Sequence, residues 1–162
     1  MVRLKTTTIG DSVVHEVEVS RSTERLSLEP DEAQVAFWLE FVLDWLDHQS
    51  SEVSVRIVGE EEITSLNAQY RGLENATNVL SFPAGMSVEE VTFLGDIVIC
   101  SKVVKLESEL YGRGFTDRYA HMLIHGLLHL LGYDHMDEVA RTRMEQLETD
   151  LLSSLNMGNP YE

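Results

Sequence analysis

His125-Gly126-Leu127-Leu128-His129-Leu130-Leu131-Gly132-Tyr133-Asp134-His135 is the stretch on which the reading of this chain turns. On a helix, residues four apart lie about one turn apart on the same face. His125 and His129 therefore aim two imidazoles at one point. Gly132 lets the chain leave the helix in a left-handed turn, and the turn brings His135 back as a third ligand. Three protein ligands with a fourth position free describe a catalytic zinc site rather than a structural one. The spacing equals that of the long metzincin signature with one departure, because Gly126 stands where those proteases carry their glutamate base. Peptide hydrolysis by that route therefore lacks its base, and the glycine leaves room beside the metal for a bulkier substrate.

A single histidine on an apolar helix is more often packed or hydrogen-bonded than a ligand. Three of the chain's six histidines at this spacing, among leucine, glycine and tyrosine, outweigh that alternative. His121 lies one turn before His125; an extra ligand, an outer partner of the ligands and a solvated residue are all open, with an outer or structural role favoured. Asp134 either orients a ligand, holds water at the metal, or hydrogen-bonds its own turn. His15 and His48 read as surface residues. The lone Cys100, in the apolar run Ile97-Val98-Ile99-Cys100, reads as a buried structural thiol and fits a reducing compartment.

Outward from the histidines, the periodicity gives strands over Val13–Val19, Val53–Val58, Asn78–Phe82 and Gly95–Cys100, the last entered through Val91–Phe93. Residues 84–90 read as a flexible stretch. Helices are expected from Glu29-Pro30-Asp31-Glu32 to about His48, over Glu60–Tyr70 with Gly72 as its stop, and over Lys102–Tyr111. A fourth runs to Leu131 with Thr116 as cap. A fifth spans Asp137 to about Leu155, with Met144, Leu147, Leu151 and Leu152 inward. Strands with interspersed helices followed by helices alone indicate an α+β fold. The expected architecture is one domain over residues 1–155, with a small mixed sheet of about four strands and a helical layer carrying a zincin-like site. Residues 156–162 are expected to form a flexible tail.

The chain has 162 residues, enough for one core without disulfides. The start, Met1-Val2-Arg3-Leu4-Lys5-Thr6, lacks an apolar signal region, and no stretch reaches the ~18 apolar residues of a membrane span. A cytoplasmic monomer away from membranes is the expectation. The formal net charge of −16 weighs against casual nucleic-acid binding, whose usual sign is a basic footprint. Lys102, Lys105, Arg113 and Arg118, just before the histidine helix, either supply a local basic surface or are scattered and solvated.

Two further segments carry chemistry. Tyr70-Arg71-Gly72 is followed by Thr77-Asn78-Val79-Leu80-Ser81-Phe82-Pro83. An arginine at a helix end matches two phosphate oxygens at once, or else caps helix carbonyls. Asn78 and Ser81 either line a cleft and contact substrate or satisfy turn backbone. Leu94-Gly95-Asp96-Ile97-Val98-Ile99 reads as a turn feeding a buried strand, and alone implies no function.

Together with the histidine stretch, these segments closely resemble the YbeY family of bacterial metal-dependent endoribonucleases, over roughly residues 50–152. The resemblance implies one Zn2+ per chain, or another divalent transition metal, held by His125, His129 and His135. It implies cleavage of single-stranded RNA, maturation of the 3′ end of small-subunit ribosomal RNA, ribosome quality control, and ribosome-associated protein partners. It also implies a functional, catalytic Arg71. Whether water or a 2′-hydroxyl attacks is open, since no unambiguous general base stands in the sequence. Two rivals remain: a metal hydrolase of peptides or amides, and a non-catalytic ribosome-assembly factor with structural zinc.

Overall fold

The computed structural model describes the backbone of residues 2–7 and all of residues 13–162. Its elements are β1 (Val2–Thr7), β2 (Val14–Arg21), α1 (Glu32–Trp45), β3 (Ser51–Val58), α2 (Glu60–Arg71), β4 (Val79–Val88), β5 (Val91–Cys100), α3 (Ser101–Leu110), α4 (Phe115–Leu130) and α5 (Glu138–Ser154). The sheet order is β1-β2-β3-β5-β4. β2, β3 and β5 run parallel, and β1 and β4 join antiparallel at the edges. The result is the expected α+β domain with a small mixed sheet, and β1 adds a fifth strand at one edge, where the sequence reading placed no element.

The sheet divides its side chains by strict alternation. On β5, Ile97 and Ile99 join the main core with α1 and α4, while Val98 and Cys100 face the other way onto α2. Burial on both faces is why this strand reads as an unbroken apolar run. On β2, His15, Val17 and Val19 point inward, each fully buried. His15 is therefore not the surface residue expected: its Nε2 lies 3.2 Å from Asp44 of α1. His48 is half-buried, with Nδ1 2.9 Å from Ser51 Oγ.

Local chemistry sets the helix ends. Asp31 and Asp137 cap α1 and α5 by accepting from Gln34 N and Ala140 N, each at 2.8 Å. Thr116, expected to cap α4, lies inside it; Gly114 is the cap and offers no side-chain bond. At the other end, Tyr133 N donates to Leu128 O at 3.0 Å and Gly132 N to His129 O at 3.1 Å. With Gly132 at φ +98°, this is a Schellman stop.

Two expectations around β4 and β5 change. Residues 84–88 continue β4 as a strand, and Glu89 and Glu90, both at positive φ, close a two-residue hairpin. Gly95 is not in a turn. It sits within β5 at an irregularity in the β4 pairing, and a Cβ there would stand 2.1 Å from the Phe82 carbonyl oxygen.

α4 lies at the centre of the molecule, buried from Tyr119 through Ile124 and again at Gly126–Leu128. It lies tight against the sheet at Gly126. A Cβ at that position would meet Ser81 Oγ at 3.1 Å, Ile97 Cγ2 at 3.2 Å and Val79 Cγ2 at 3.3 Å. The glycine therefore serves the contact between helix and sheet; it does not open space for a substrate. Gly126→Glu, which restores the protease glutamate in sequence, is expected to destabilise the fold by about 2–3 kcal/mol through overpacking and to create no peptidase. Urea unfolding and a casein assay check the two halves of that expectation.

Candidate metal centre and cleft

The three histidines meet. One ligand nitrogen from each of His125, His129 and His135 lies within 4.8 Å of the others, close enough to hold a metal ion. His125 and His129 stand on consecutive turns of α4, and His135 returns on the loop after the Gly132 stop. The His125 and His135 rings lie at 17° to each other, whereas His129 is nearly perpendicular to both. His135 is exposed and the other two are half-buried, so the cluster opens to solvent on one side.

Hydrogen bonds fix which nitrogens face the cluster. His129 Nδ1 donates to the Tyr133 carbonyl at 3.0 Å, and His125 Nδ1 lies 2.5 Å from Glu148 Oε1. Glu148 is fully buried on α5. Burial pushes its carboxyl up, but hydrogen bonds from His121 and His125 outweigh that and hold it at about 2. It is thus an ionised acceptor, and His125 must carry its proton on Nδ1. The Nε2 atoms of His125 and His129 then face each other at 3.1 Å. That spacing is close to what a metal needs: a tetrahedral zinc with Zn–N near 2.0–2.1 Å would place two such nitrogens roughly 3.3 Å apart. Burial, then the neighbouring His125 and His135, lowers the His129 pKa, which keeps that imidazole neutral, as a ligand must be. The donor set fits a divalent transition metal.

His121 does not join the cluster. It is buried, with Nε2 3.2 Å from Glu148 Oε2. Asp134 Oδ1 accepts from Met136 N at 3.1 Å and so steadies the turn that carries His135. Glu148 escaped the sequence reading. Its signal was an acid set among Met144, Leu147, Leu151 and Leu152, the apolar stripe of α5.

A cleft of about 740 Å³ opens above the cluster. One wall is the α4 end and the His135 loop; the other is the C-terminal end of α2 and the first half of β4. Arg71 and Tyr70 stand on that second wall. Gly72, at φ +71°, closes α2 through its own N–H to Ala68 O, so Arg71 is not needed as a cap. Among the described residues nothing bonds its guanidinium. Tyr70 is exposed and meets Phe82 edge-on at 5.0 Å. Asn78 and Ser81 also line the cleft, yet both are engaged: Asn78 Nδ2 donates to Glu107 at 3.0 Å, its Oδ1 accepts from Val79 N, and Ser81 Oγ donates to Gly126 O at 2.9 Å.

The basic residues before the histidines, Arg118 among them on the first turn of α4, do not supply a basic wall. Lys102 pairs with Glu60, Arg118 pairs with Glu107, and Arg113 donates to Asn159 O and Glu162 O. None of these, nor Lys105, lines the cleft. The bond from Asn78 to Glu107 makes a stability test: Asn78→Ala is expected to cost about 1–2 kcal/mol, read by urea unfolding.

The family model described as Endoribonuclease YbeY matches residues 16–156. Proteins named Endoribonuclease YbeY from Idiomarina loihiensis and Alteromonas mediterranea are 45% and 44% identical, each over 82% of this chain and over 83% and 85% of their own lengths. One from Cellvibrio japonicus is 43% identical over 91% of this chain and 82% of its own. A solution structure from Thermotoga maritima shares the fold with a TM-score of 0.56 at 23% identity, covering 86% of this chain and 91% of that one. With the histidine cluster and its cleft already in place on this scaffold, the extent of these matches makes the chain a member of the YbeY endoribonuclease family.

Proposed function

We propose that this chain is a zinc-dependent, single-strand-specific endoribonuclease that acts in the cytoplasm, as a monomer, on the 3′ end of small-subunit ribosomal RNA, and that it serves ribosome quality control with ribosome-associated partners. The observation that carries the reading is the juxtaposition within one open cleft of three converging imidazoles and an unengaged arginine. The names of the relatives supply the reaction class. A cleft closed on its metal by four protein ligands would have spoken for a structural ion; here three ligands converge and one of them is exposed.

A divalent cation at His125, His129 and His135 supplies Lewis-acid charge for a phosphodiester and for the acidification of water. The chain's own residues do the rest. Arg71 binds two phosphoryl oxygens through its planar fork and meets the charge that builds on them. Tyr70 presents a ring face on which an unpaired base stacks, which a base inside a duplex cannot do. Among the described residues, Asp134 is the one carboxylate lining the cleft. Its free oxygen is the available acceptor for a proton from the attacking hydroxyl group, and we assign it that role. Asn78 and Ser81 shape the cleft floor and contact substrate through whatever bonding capacity their internal partners leave.

The deciding experiment is cleavage of a single-stranded ribosomal RNA fragment by protein freed of contaminating ribonuclease. Chelation, or His129→Ala, is expected to abolish cleavage while far-ultraviolet circular dichroism stays near that of the untreated protein, because the sheet and the buried length of α4 do not depend on the ion. Cleavage that survives both would remove the metal from the reaction.

Arg71→Glu is expected to cut the rate at least 100-fold, in the range that loss of one transition-state donor costs, with little change in urea midpoint. The product ends report the attacking group. A 2′,3′-cyclic phosphate marks the 2′-hydroxyl, and a 5′-phosphate with a 3′-hydroxyl marks water.

A further inference from the structure

Glu148 presents two oxygens with separate duties. Oε1 faces His125 Nδ1 at 2.5 Å; Oε2 takes His121 Nε2 at 3.2 Å and the hydroxyl of Tyr161. Tyr161 belongs to the segment expected to be a flexible tail, and that segment is docked. After α5, Asn156 at φ +61° reverses the chain, and Met157 N returns to Leu152 O at 2.9 Å. Arg113 then holds the segment by donating to the Asn159 carbonyl at 2.8 Å and to that of Glu162. The Tyr161 ring stands edge-on to His121 at 5.6 Å.

We propose that Glu148 is a positioning residue for the metal ligand His125, and that the C-terminal segment, through Tyr161, completes the metal site by locking Glu148 in place. A buried carboxylate with one oxygen unsatisfied would turn toward other donors or admit water. Tyr161 and His121 occupy Oε2, and this leaves Oε1 committed to His125. The commitment fixes both the tautomer and the tilt of the imidazole, so its Nε2 lone pair points at the cation before any cation arrives. Outer partners of this kind orient metal-bound histidines generally. What is particular here is that the partner's own partner comes from the segment after α5, which does not line the cleft. The tail thereby acts on metal retention without touching metal or substrate.

This inference rests on the metal reading above, and its test does not use RNA. Zinc affinity is measured by competition with a chelating dye for the full chain and for Glu148→Gln and Tyr161→Phe. Val104→Ala, in the core away from the site, serves as a control for general destabilisation. Loss of an outer partner costs about 10–100-fold in affinity. Glu148→Gln is expected to weaken zinc about 10-fold or more, and Tyr161→Phe, one bond further out, about 3-fold. Val104→Ala is expected to lower the thermal midpoint without moving affinity.

Nitrogen-15 spectra of the metal-free wild-type chain are expected to show His125 protonated at Nδ1, and the Tyr161→Phe spectrum a mixture of tautomers. The wild-type spectrum and Tyr161→Phe decide the matter even if Glu148→Gln fails to fold. Equal affinities for wild type and both variants, or a wild-type His125 protonated at Nε2, would overturn the proposal while leaving the metal site standing. A wild-type chain that binds neither zinc nor cobalt would sink the metal reading and this proposal with it.

Discussion

The close seat of α4 on the sheet at Gly126 is the constraint from which the rest follows. The helix that carries two of the three histidines is also the helix the core is built around. Its apolar residues pack among β3, β5 and α1, and its approach is set by a position where a methyl group would already crowd Ser81, Val79 and Ile97. Ligand geometry is thus inherited from core packing. Interiors close to crystalline density deform little, so the two imidazoles are held by the part of the molecule least able to move.

The contact also explains how the cleft acquires its second wall. Because Gly126 brings α4 against the start of β4, the segment from Asn78 to Phe82 lies directly beside the histidines. Ser81 closes the gap by donating to the Gly126 carbonyl. α2 packs on the other face of the same strands through Ile63 and Leu66, and its C-terminal end delivers Tyr70 and Arg71 to the rim. A single short helix–sheet distance therefore sets the spacing between cation ligands and arginine, and with it the size of group that fits between them.

Much of this was legible in the sequence because it is local. The histidine spacing, the Gly132 stop and the apolar runs depend on neighbours within a dozen residues, and the five helices and the four strands β2 to β5 follow from period and caps. What escaped depends on partners distant along the chain. His15 read as a surface residue of a half-exposed strand, but α1 covers its face and brings Asp44 to it. Glu148 looked like one acid among many on an acidic helix, and only the packing of α5 against α4 turns it toward His125. The Glu89–Glu90 hairpin lacks the asparagine or glycine that usually announces such a turn, since the strand pairing on either side compels it. Gly126 was read for its chemistry when its reason is steric. The tail shows the same limit: nothing in 156–162 announces docking until Arg113 and Glu148 are placed beside it.

The pairing of basic residues inside the fold has a consequence for encounter. Arg21, Arg56, Lys102 and Arg118 are neutralised by glutamates of the chain itself, and the formal charge is −16. A polyanion approaching such a molecule meets a repulsive far field, with attraction confined to contact range at cationic groups such as Arg71. Most nucleic-acid-binding proteins lose affinity as salt rises, because they release condensed counterions. For this one, moderate ionic strength shortens the reach of the repulsion to ~8–10 Å and speeds association. The net charge of −16 therefore works against long-range capture of any polyanion, and contact-range groups must supply what attraction there is.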